Sequence, residues 1–336
     1  MDDSSTFTTP QATSIDKVIE NTLRPKSFDE MVGREKEKKI LKLAIDAAKK
    51  RSEALDHLLF YGPPGLGKTT FVHVVGKELG VNVITTSGPA ITSKGDIASL
   101  LTNLNEGDII FIDEIHRLNK TIEEFLYPAM EDYCLDLTVG KGLASKVIRV
   151  DLSKFTLIGA TTRIGLLSAP LRDRFGQLMR LDFFPDDELK DMLIRSANIL
   201  TFEIDSDAAL EIARRSRGTA RIANRLLKRI RDYAQVEGKH KIDLELAKAA
   251  LDFLEVDSLG LDDLDRKILR NIIEKFGGRP VGLTTIAASV AEEVDTISDV
   301  YEPYLLQAGL LNRTPKGRVA TKRAYEHFNL LDLYKD

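Results

Sequence analysis

An α/β domain with a parallel sheet, followed by a small all-helical domain and a C-terminal winged helix, is the architecture this 336-residue sequence predicts. Three observations lead there. Between about Ile40 and Phe184 short apolar runs alternate with longer amphipathic stretches, the pattern of a parallel sheet covered by helices. From Asp186 to about Glu255 the strand pattern stops and apolar residues recur at helical spacing. After the linker Val256–Gly260, three helical stretches lead into a terminal hairpin, Gly309–Thr321, which turns at Pro315-Lys316-Gly317. The length exceeds what one hydrophobic core usually fills, so two or three domains are expected, and the pattern along the chain divides it at 1–184, 185–255 and 256–336.

In chain order, Met1–Pro10 is polar and acidic, with no basic stretch leading into an apolar core, which argues against a secretory leader. No run approaches the roughly 18 apolar residues that span a bilayer. Strands are expected over His57–Tyr61, Val81–Thr86, Asp108–Asp113 and Phe155–Thr161, with amphipathic helices over Glu35–Lys50 and Thr69–Leu79. Residues 135–152 alternate in polarity on each side of Gly140-Lys141-Gly142 and read as a β-hairpin inserted before the next strand. Breaks near Thr201 and Gly238 divide the helical domain.

Composition bounds the function. With 43% hydrophobic and 30% charged residues the chain can bury sizeable cores, which excludes a disordered or collagen-like protein. The 48 Lys and Arg against 52 Asp and Glu leave a net charge of −4, which gives no sign of nucleic acid. The hairpin is a local exception: Arg313, Lys316, Arg318, Lys322 and Arg323 occur with no acid between Asn312 and Ala324. The single cysteine, Cys134, cannot form an internal disulfide, and no Cys/His spacing fits structural zinc; a cytoplasmic protein is expected.

Gly62-Pro63-Pro64-Gly65-Leu66-Gly67-Lys68-Thr69 is a P-loop between an expected strand and an expected helix. Glycines such as Gly65 and Gly67 let backbone N–H groups wrap phosphates, Lys68 reaches the terminal phosphates, and Thr69 offers a hydroxyl to magnesium. The apolar run Ile109–Ile112 delivers Asp113 and Glu114 to a strand end, where Asp113 can position the magnesium shell and Glu114 can polarise the attacking water. His116 and Arg117 follow, His116 being open to a surface or a catalytic role. Thr161 ends another buried strand, within reach of a terminal phosphate or the water. Arg172 and Arg174 lie in a loop before the sheet domain ends; such arginines are usually salt-bridge residues, but a guanidinium supplied in trans accelerates phosphoryl transfer. In the helical domain Arg214, Arg215, Arg217, Arg221, Arg225, Lys228, Arg229 and Arg231 read mostly as a solvated or inter-subunit face. Arg221, in the first turn after Gly218-Thr219, is placed to sense a γ-phosphate.

These residues resemble one family, the bacterial RuvB motors, AAA+ ATPases that drive branch migration of Holliday junctions. The resemblance is carried by Leu23-Arg24-Pro25, Asp56-His57-Leu58-Leu59, the P-loop, Thr85–Pro89, Asp113–Leu118, Tyr127–Tyr133, Ile158–Arg163 and Arg221–Leu226. It implies an AAA+ P-loop domain, a helical lid and a DNA-binding winged helix, with ATP and magnesium as cofactors. It makes Lys68, Thr69 and Thr70 phosphate and magnesium residues, Asp113 with Glu114 the Walker B pair, Thr161 sensor 1 and Arg221 sensor 2. Leu23, Arg24, Glu131, Asp132 and Tyr133 become nucleotide contacts, and Arg174 an arginine finger inserted into a neighbour's site. Two positions depart from the family: Phe184 replaces a tyrosine near the adenine, and Ala220 replaces the proline before the sensor arginine. Phe184 keeps the stacking face, so nucleotide binding is expected to survive.

The resemblance further implies a homohexamer acting on the duplex arms of Holliday junctions, with RuvA, and with RuvC through a RuvABC complex. The inserted hairpin corresponds to the RuvA contact, with Leu137, Val139, Leu143 and Val147 as an exposed apolar patch. Arg313 and Arg318 become the phosphate-binding pair of the wing, gripping DNA without base readout. Two other readings stand beside this one. A clamp-loader-like or initiator-like AAA+ protein should lack the long hairpin and the Tyr127–Tyr133 run. A nucleotide-gated regulator that does not hydrolyse ATP should lack Glu114.

Overall fold

The computed structural model describes residues 22–139 and 146–334. They form two compact units, residues 24–182 and a second unit from Phe183 onward that includes Leu23.

In chain order the strands of the first unit are β1 (Leu58–Tyr61), β2 (Val83–Ser87), β3 (Ile109–Asp113), β4 (Cys134–Val139), β5 (Lys146–Asp151), β6 (Thr156–Thr161) and β7 (Gln177–Arg180). Five of them make one parallel sheet in the order β2-β3-β6-β1-β7. Ile109, Ile110, Phe111 and Ile112 of β3 are fully buried, because a parallel sheet carries helices on both faces and favours unbroken apolar strands. Each such side chain contributes about 1.5–3 kcal/mol on burial. The covering helices include Glu35–Arg51, Lys68–Leu79, Lys94–Thr102 and Lys120–Glu131. Their starts are locally encoded: Ser93 and Asp96 form a reciprocal capping box, and Asn119 accepts the Ile122 N–H at 3.0 Å. The edge strand β7 escapes sequence reading, because Gln-Leu-Met-Arg is short and polar at both ends; Met179 is buried while Leu178 is 45% exposed.

His57, just before β1, ties three elements together. Its Nδ1 accepts the Leu157 N–H of β6 at 2.9 Å, which leaves the proton on Nε2 to be donated to the Met130 carbonyl at 3.1 Å. Phe155 and Tyr133 pack against the ring, with centroids at 5.6 and 6.3 Å. Burial holds the imidazole pKa below its ordinary 6.5, against the opposing effect of the Met130 hydrogen bond. The unfolded chain therefore binds this proton more readily than the folded one, so the stability His57 supplies is intact above pH 6.5 and is lost as the pH falls below it. Thermal midpoints measured between about pH 5 and 8 should drop on the acid side, and a His57→Asn variant, less stable throughout, should lose that component of the slope. An unchanged acid slope in the variant would refute the assignment.

The expected insertion forms as the antiparallel pair β4 and β5, but its register corrects the docking patch. Leu137 lies opposite Ile148 and Thr138 opposite Val147, so Leu137 and Val147 occupy positions of opposite parity and cannot share a face. Leu137 is half-buried and packs against the core of its own unit beside Leu135, whereas Val147 is 68% exposed. Val139 pairs with Lys146 in the ladder, and Leu143 lies outside the described residues.

The second unit opens with helices Asp186–Ile199, Ser206–Arg214, Ala220–Val236 and Leu244–Phe253, packed around Leu189, Leu193, Ile212, Leu226 and Ile230. The expected breaks are present as left-handed residues, Thr201 (φ 55°) and Gly238 (φ 69°). This part is not purely helical: β8 (Glu203–Ile204) and β9 (Lys241–Ile242) form a short parallel pair. Next come helices Asp263–Arg270 and Leu283–Val290, helical segments from Val294 to Gln307, and the hairpin β10 (Leu311–Thr314) with β11 (Gly317–Ala320). Val281 bridges to Arg318 on the other side of β11, and a helix at Lys322–His327, absent from the sequence reading, follows.

Three arginines expected at a solvated face are buried instead: Arg215, Arg217 and Arg225. For the first two the reason is chain connectivity. Arg215 donates to the Val256 carbonyl at 2.9 Å, and Arg217 donates to the Gly260 carbonyl at 2.7 Å and pairs with Asp265. They tie the helical domain to the segment that opens the winged helix. Burial and the neighbouring Asp262 outweigh the attraction of Arg217 and push the Asp265 pKa up to about 8.

Candidate active site

The P-loop leaves the carboxyl end of β1. Gly62 is required there, because a Cβ would stand 2.2 Å from the Leu181 carbonyl oxygen of the neighbouring chain segment. Gly67 (φ 88°) turns the loop into helix Lys68–Leu79 in a conformation that side-chain-bearing residues resist. The buried Lys68 folds back across the loop, its Nζ donating to the Gly62 and Pro63 carbonyls at 2.8 Å each. Gly65, Thr69 and Thr70 continue the loop into the helix, all half-buried. Arg24 stands close enough to His73 of that helix to help depress its pKa, burial being the larger cause.

Sheet register gathers the predicted catalytic residues at one edge. Tyr61 pairs with Thr161, Ile112 with Gly159 and Ser87 with Asp113, so β1, β6, β3 and β2 end together. Asp113 Oδ1 accepts the Glu114 N–H at 2.9 Å, and Glu114 takes a left-handed φ of 49°, a strained conformation typical of functional turns. The Glu114 Oε2 accepts from the Thr162 hydroxyl at 3.2 Å and lies 3.1 Å from His116 Nδ1. Thr161 is fully buried, its hydroxyl 2.9 Å from His116 Nδ1 and accepting the Arg163 N–H at 3.0 Å. The hydroxyl that donates to Glu114 is thus that of Thr162, one residue past the end of β6, which sequence reasoning passed over, while Thr161 reaches the same cluster through His116. His116, with its side chain 8% exposed, belongs to the same network and is not a free surface residue.

Another set gathers at the opposite edge. Arg174 precedes β7, whose first residue pairs with Leu58 at the start of β1. It donates to Glu131 at 3.0 Å and to the Pro170 carbonyl at 2.7 Å, and its guanidinium lies 4.2 Å from the Tyr127 ring centroid. Glu131 ends its helix, exposed Asp132 caps it, and Tyr133 (φ 52°) meets Phe155 edge-to-face beside His57. These residues sit at the amino edge of the sheet, one strand length of roughly 10 Å from the P-loop edge of the same chain.

The remaining predicted nucleotide residues belong to the second unit. Leu23 is buried, its carbonyl accepting Arg195 Nη1 at 2.9 Å. Phe184 packs half-buried against the helical core and donates its N–H to the Gly218 carbonyl at 2.8 Å. Helix Ala220–Val236 begins at Ala220 without the proline, with half-buried Arg221 in its first turn.

Three domain models match consecutive parts of the chain: the Holliday junction DNA helicase RuvB P-loop domain over residues 23–181, the RuvB AAA lid domain over 184–257 and the RuvB C-terminal winged helix domain over 258–329. The chain belongs to the RuvB family. Similar proteins bear this out: a Holliday junction branch migration complex subunit RuvB of Clostridium kluyveri is 59% identical over 314 residues, 94% of this chain and 90% of that protein. The Thermotoga maritima RuvB Holliday junction branch migration motor superposes with a TM-score of 0.84 at 52% identity, covering 92% of this chain and 98% of its own. In a member of this family, the paired carboxylates and the P-loop on one sheet edge are the expected ATPase elements, and among the described residues no cluster of His, Cys, Asp and Glu offers a separate metal site. Among those residues no helix is long and apolar enough to cross a membrane.

Proposed function

We propose that this chain is the ATP-hydrolysing motor subunit of a Holliday junction branch migration complex, acting in homologous recombination and recombinational DNA repair in the cytoplasm. The observation that carries this is the unbroken succession of three RuvB domain matches over one chain, which joins an ATPase site to a DNA-binding head. The three-domain division at 1–184, 185–255 and 256–336 follows from the same reading.

Loop N–H groups and Lys68 bind the ATP phosphates, the amine exchanging its loop carbonyls for phosphate oxygens. Thr69 and Asp113 are hard oxygen donors that suit magnesium, which when bound neutralises charge on the phosphates. Glu114 orients the attacking water through Oε1, since Oε2 is held by Thr162 and His116. Arg174, at the opposite edge from its own P-loop, serves the neighbouring subunit, which a hexameric ring with head-to-tail contacts allows. Phe184, Leu23, Arg24 and Arg221 complete the nucleotide contacts. The wing arginines Arg313 and Arg318 hold DNA phosphates without reading bases. RuvA docks on the β4–β5 hairpin, where Val147 and Ile148 are exposed and Leu137 anchors the strand to the core, and RuvC joins through a RuvABC complex.

A synthetic four-way junction tests this directly. It should dissociate into duplexes when the protein, RuvA and ATP are all present, and should persist with a non-hydrolysable ATP analogue. No dissociation with all three, or dissociation under the analogue, would reject the proposal.

A further inference from the structure

The wing brings two like charges together. Arg313 and Arg318 are direct partners across the β10–β11 ladder, where side chains stand about 5 Å apart at their Cβ atoms and like charges destabilise a hairpin. The Arg318 backbone is fixed on both sides, since it also exchanges two hydrogen bonds with Val281, at 2.8 and 2.9 Å. What relieves the repulsion is not on the hairpin. Glu302, the first residue of helix Glu302–Gln307, is 1% exposed and takes both guanidiniums on one carboxylate. Arg313 donates through Nε to Oε1 at 3.2 Å and through Nη2 to Oε2 at 2.7 Å; Arg318 does the same at 2.7 and 3.2 Å.

We infer that Glu302 is the positioning residue of the DNA-binding wing, fixing Arg313 and Arg318 side by side as a two-guanidinium clamp for backbone phosphate. The inference rests on the reading of these two arginines as the phosphate contacts. Each guanidinium is held by its Nε–Nη2 edge, so its Nη1 end is left to a ligand. Arg313 is 58% and Arg318 19% exposed at the side chain, while the carboxylate that orients them is sealed beneath. The doubly paired carboxylate stays ionised: burial opposes ionisation, but hydrogen bonds from Arg318 and Arg313 outweigh it and hold the pKa below 4.5. Three charges sum to one positive charge, enough to attract a phosphate, and the two rigid forks supply the geometry. A phosphate then meets donors already oriented, without the entropy loss that free arginine side chains would carry.

The test exploits a conflict of sign. Glu302→Gln removes a negative charge beside the DNA contacts, and charge alone would tighten binding. Positioning predicts the reverse. Affinity of the full chain for a mixed-sequence duplex, measured by fluorescence anisotropy across a salt series, should fall about tenfold in Glu302→Gln, and the slope of log affinity against log salt should shrink by about one. Arg313→Lys, which keeps the charge at an exposed position but cannot form the fork, should weaken binding comparably and guards against misfolding of the buried variant. Adding Glu302→Gln to Arg313→Ala/Arg318→Ala should cost no further affinity, because Glu302 acts only through those arginines. Equal or tighter binding by Glu302→Gln and Arg313→Lys, with the double alanine variant weakened, would overturn the positioning role alone. Wild-type binding by the double alanine variant would instead overturn the DNA reading, and this inference with it.

Discussion

Glu114→Gln should lower ATP turnover by about 10³-fold while leaving ATP affinity within about threefold of wild type. The glutamine keeps the shape of the side chain and can still accept from the Thr162 hydroxyl, which sits 3.2 Å from Oε2. What it loses is the negative charge that draws a proton from the attacking water, a contribution made in the transition state and not in the bound ground state. A fall in both affinity and turnover would mean that the carboxylate binds nucleotide and does not act on water. Phosphate release and nucleotide titration on the same preparation separate these outcomes.

Much of this site was legible in the sequence because its signals are local. The P-loop announces its own backbone geometry, and the apolar run before Asp113 fixes where a buried parallel strand must end. What escaped was set by pairing across distance. Thr162 lies just past the end of β6, where no periodicity says that its hydroxyl, and not that of Thr161, donates directly to Glu114. Leu137 and Val147 looked like one patch until the register placed them at opposite parity. The buried arginines are the largest departure. Arg215 and Arg217 sit in a run of basic residues that reads as surface, yet their partners, the Val256 and Gly260 carbonyls and Asp265, are about 40 residues or more further along the chain, where no periodicity connects them. The same holds for Glu302, which is separated from Arg313 by a helix and a turn. Charge counted along the sequence therefore picked out the basic wing but missed the acid beneath it.

Arg174→Ala should abolish hydrolysis, by about 10³-fold or more, while nucleotide binding stays close to wild type. Deletion of a phosphate-binding residue in the same subunit would weaken binding as well, so the split between the two readouts is already informative. The decisive experiment uses geometry. Arg174 and Glu131 lie at the amino edge of the sheet and Lys68 at the carboxyl edge, so one subunit cannot present both to the same phosphate unless the strand between them is ignored. Lys68→Ala subunits keep a finger but have no working P-loop, and Arg174→Ala subunits have the converse. Mixed in equal amounts in a ring with head-to-tail contacts, about a quarter of the interfaces join an intact P-loop to an intact finger, and turnover should recover toward that fraction. Recovery must vanish when either variant is present alone and must peak near equal mixing, because both extremes remove one half of every site. If rings form and no mixing ratio restores hydrolysis, Arg174 acts within its own chain, and its hold on Glu131 and Tyr127 is then its working position and not a resting one.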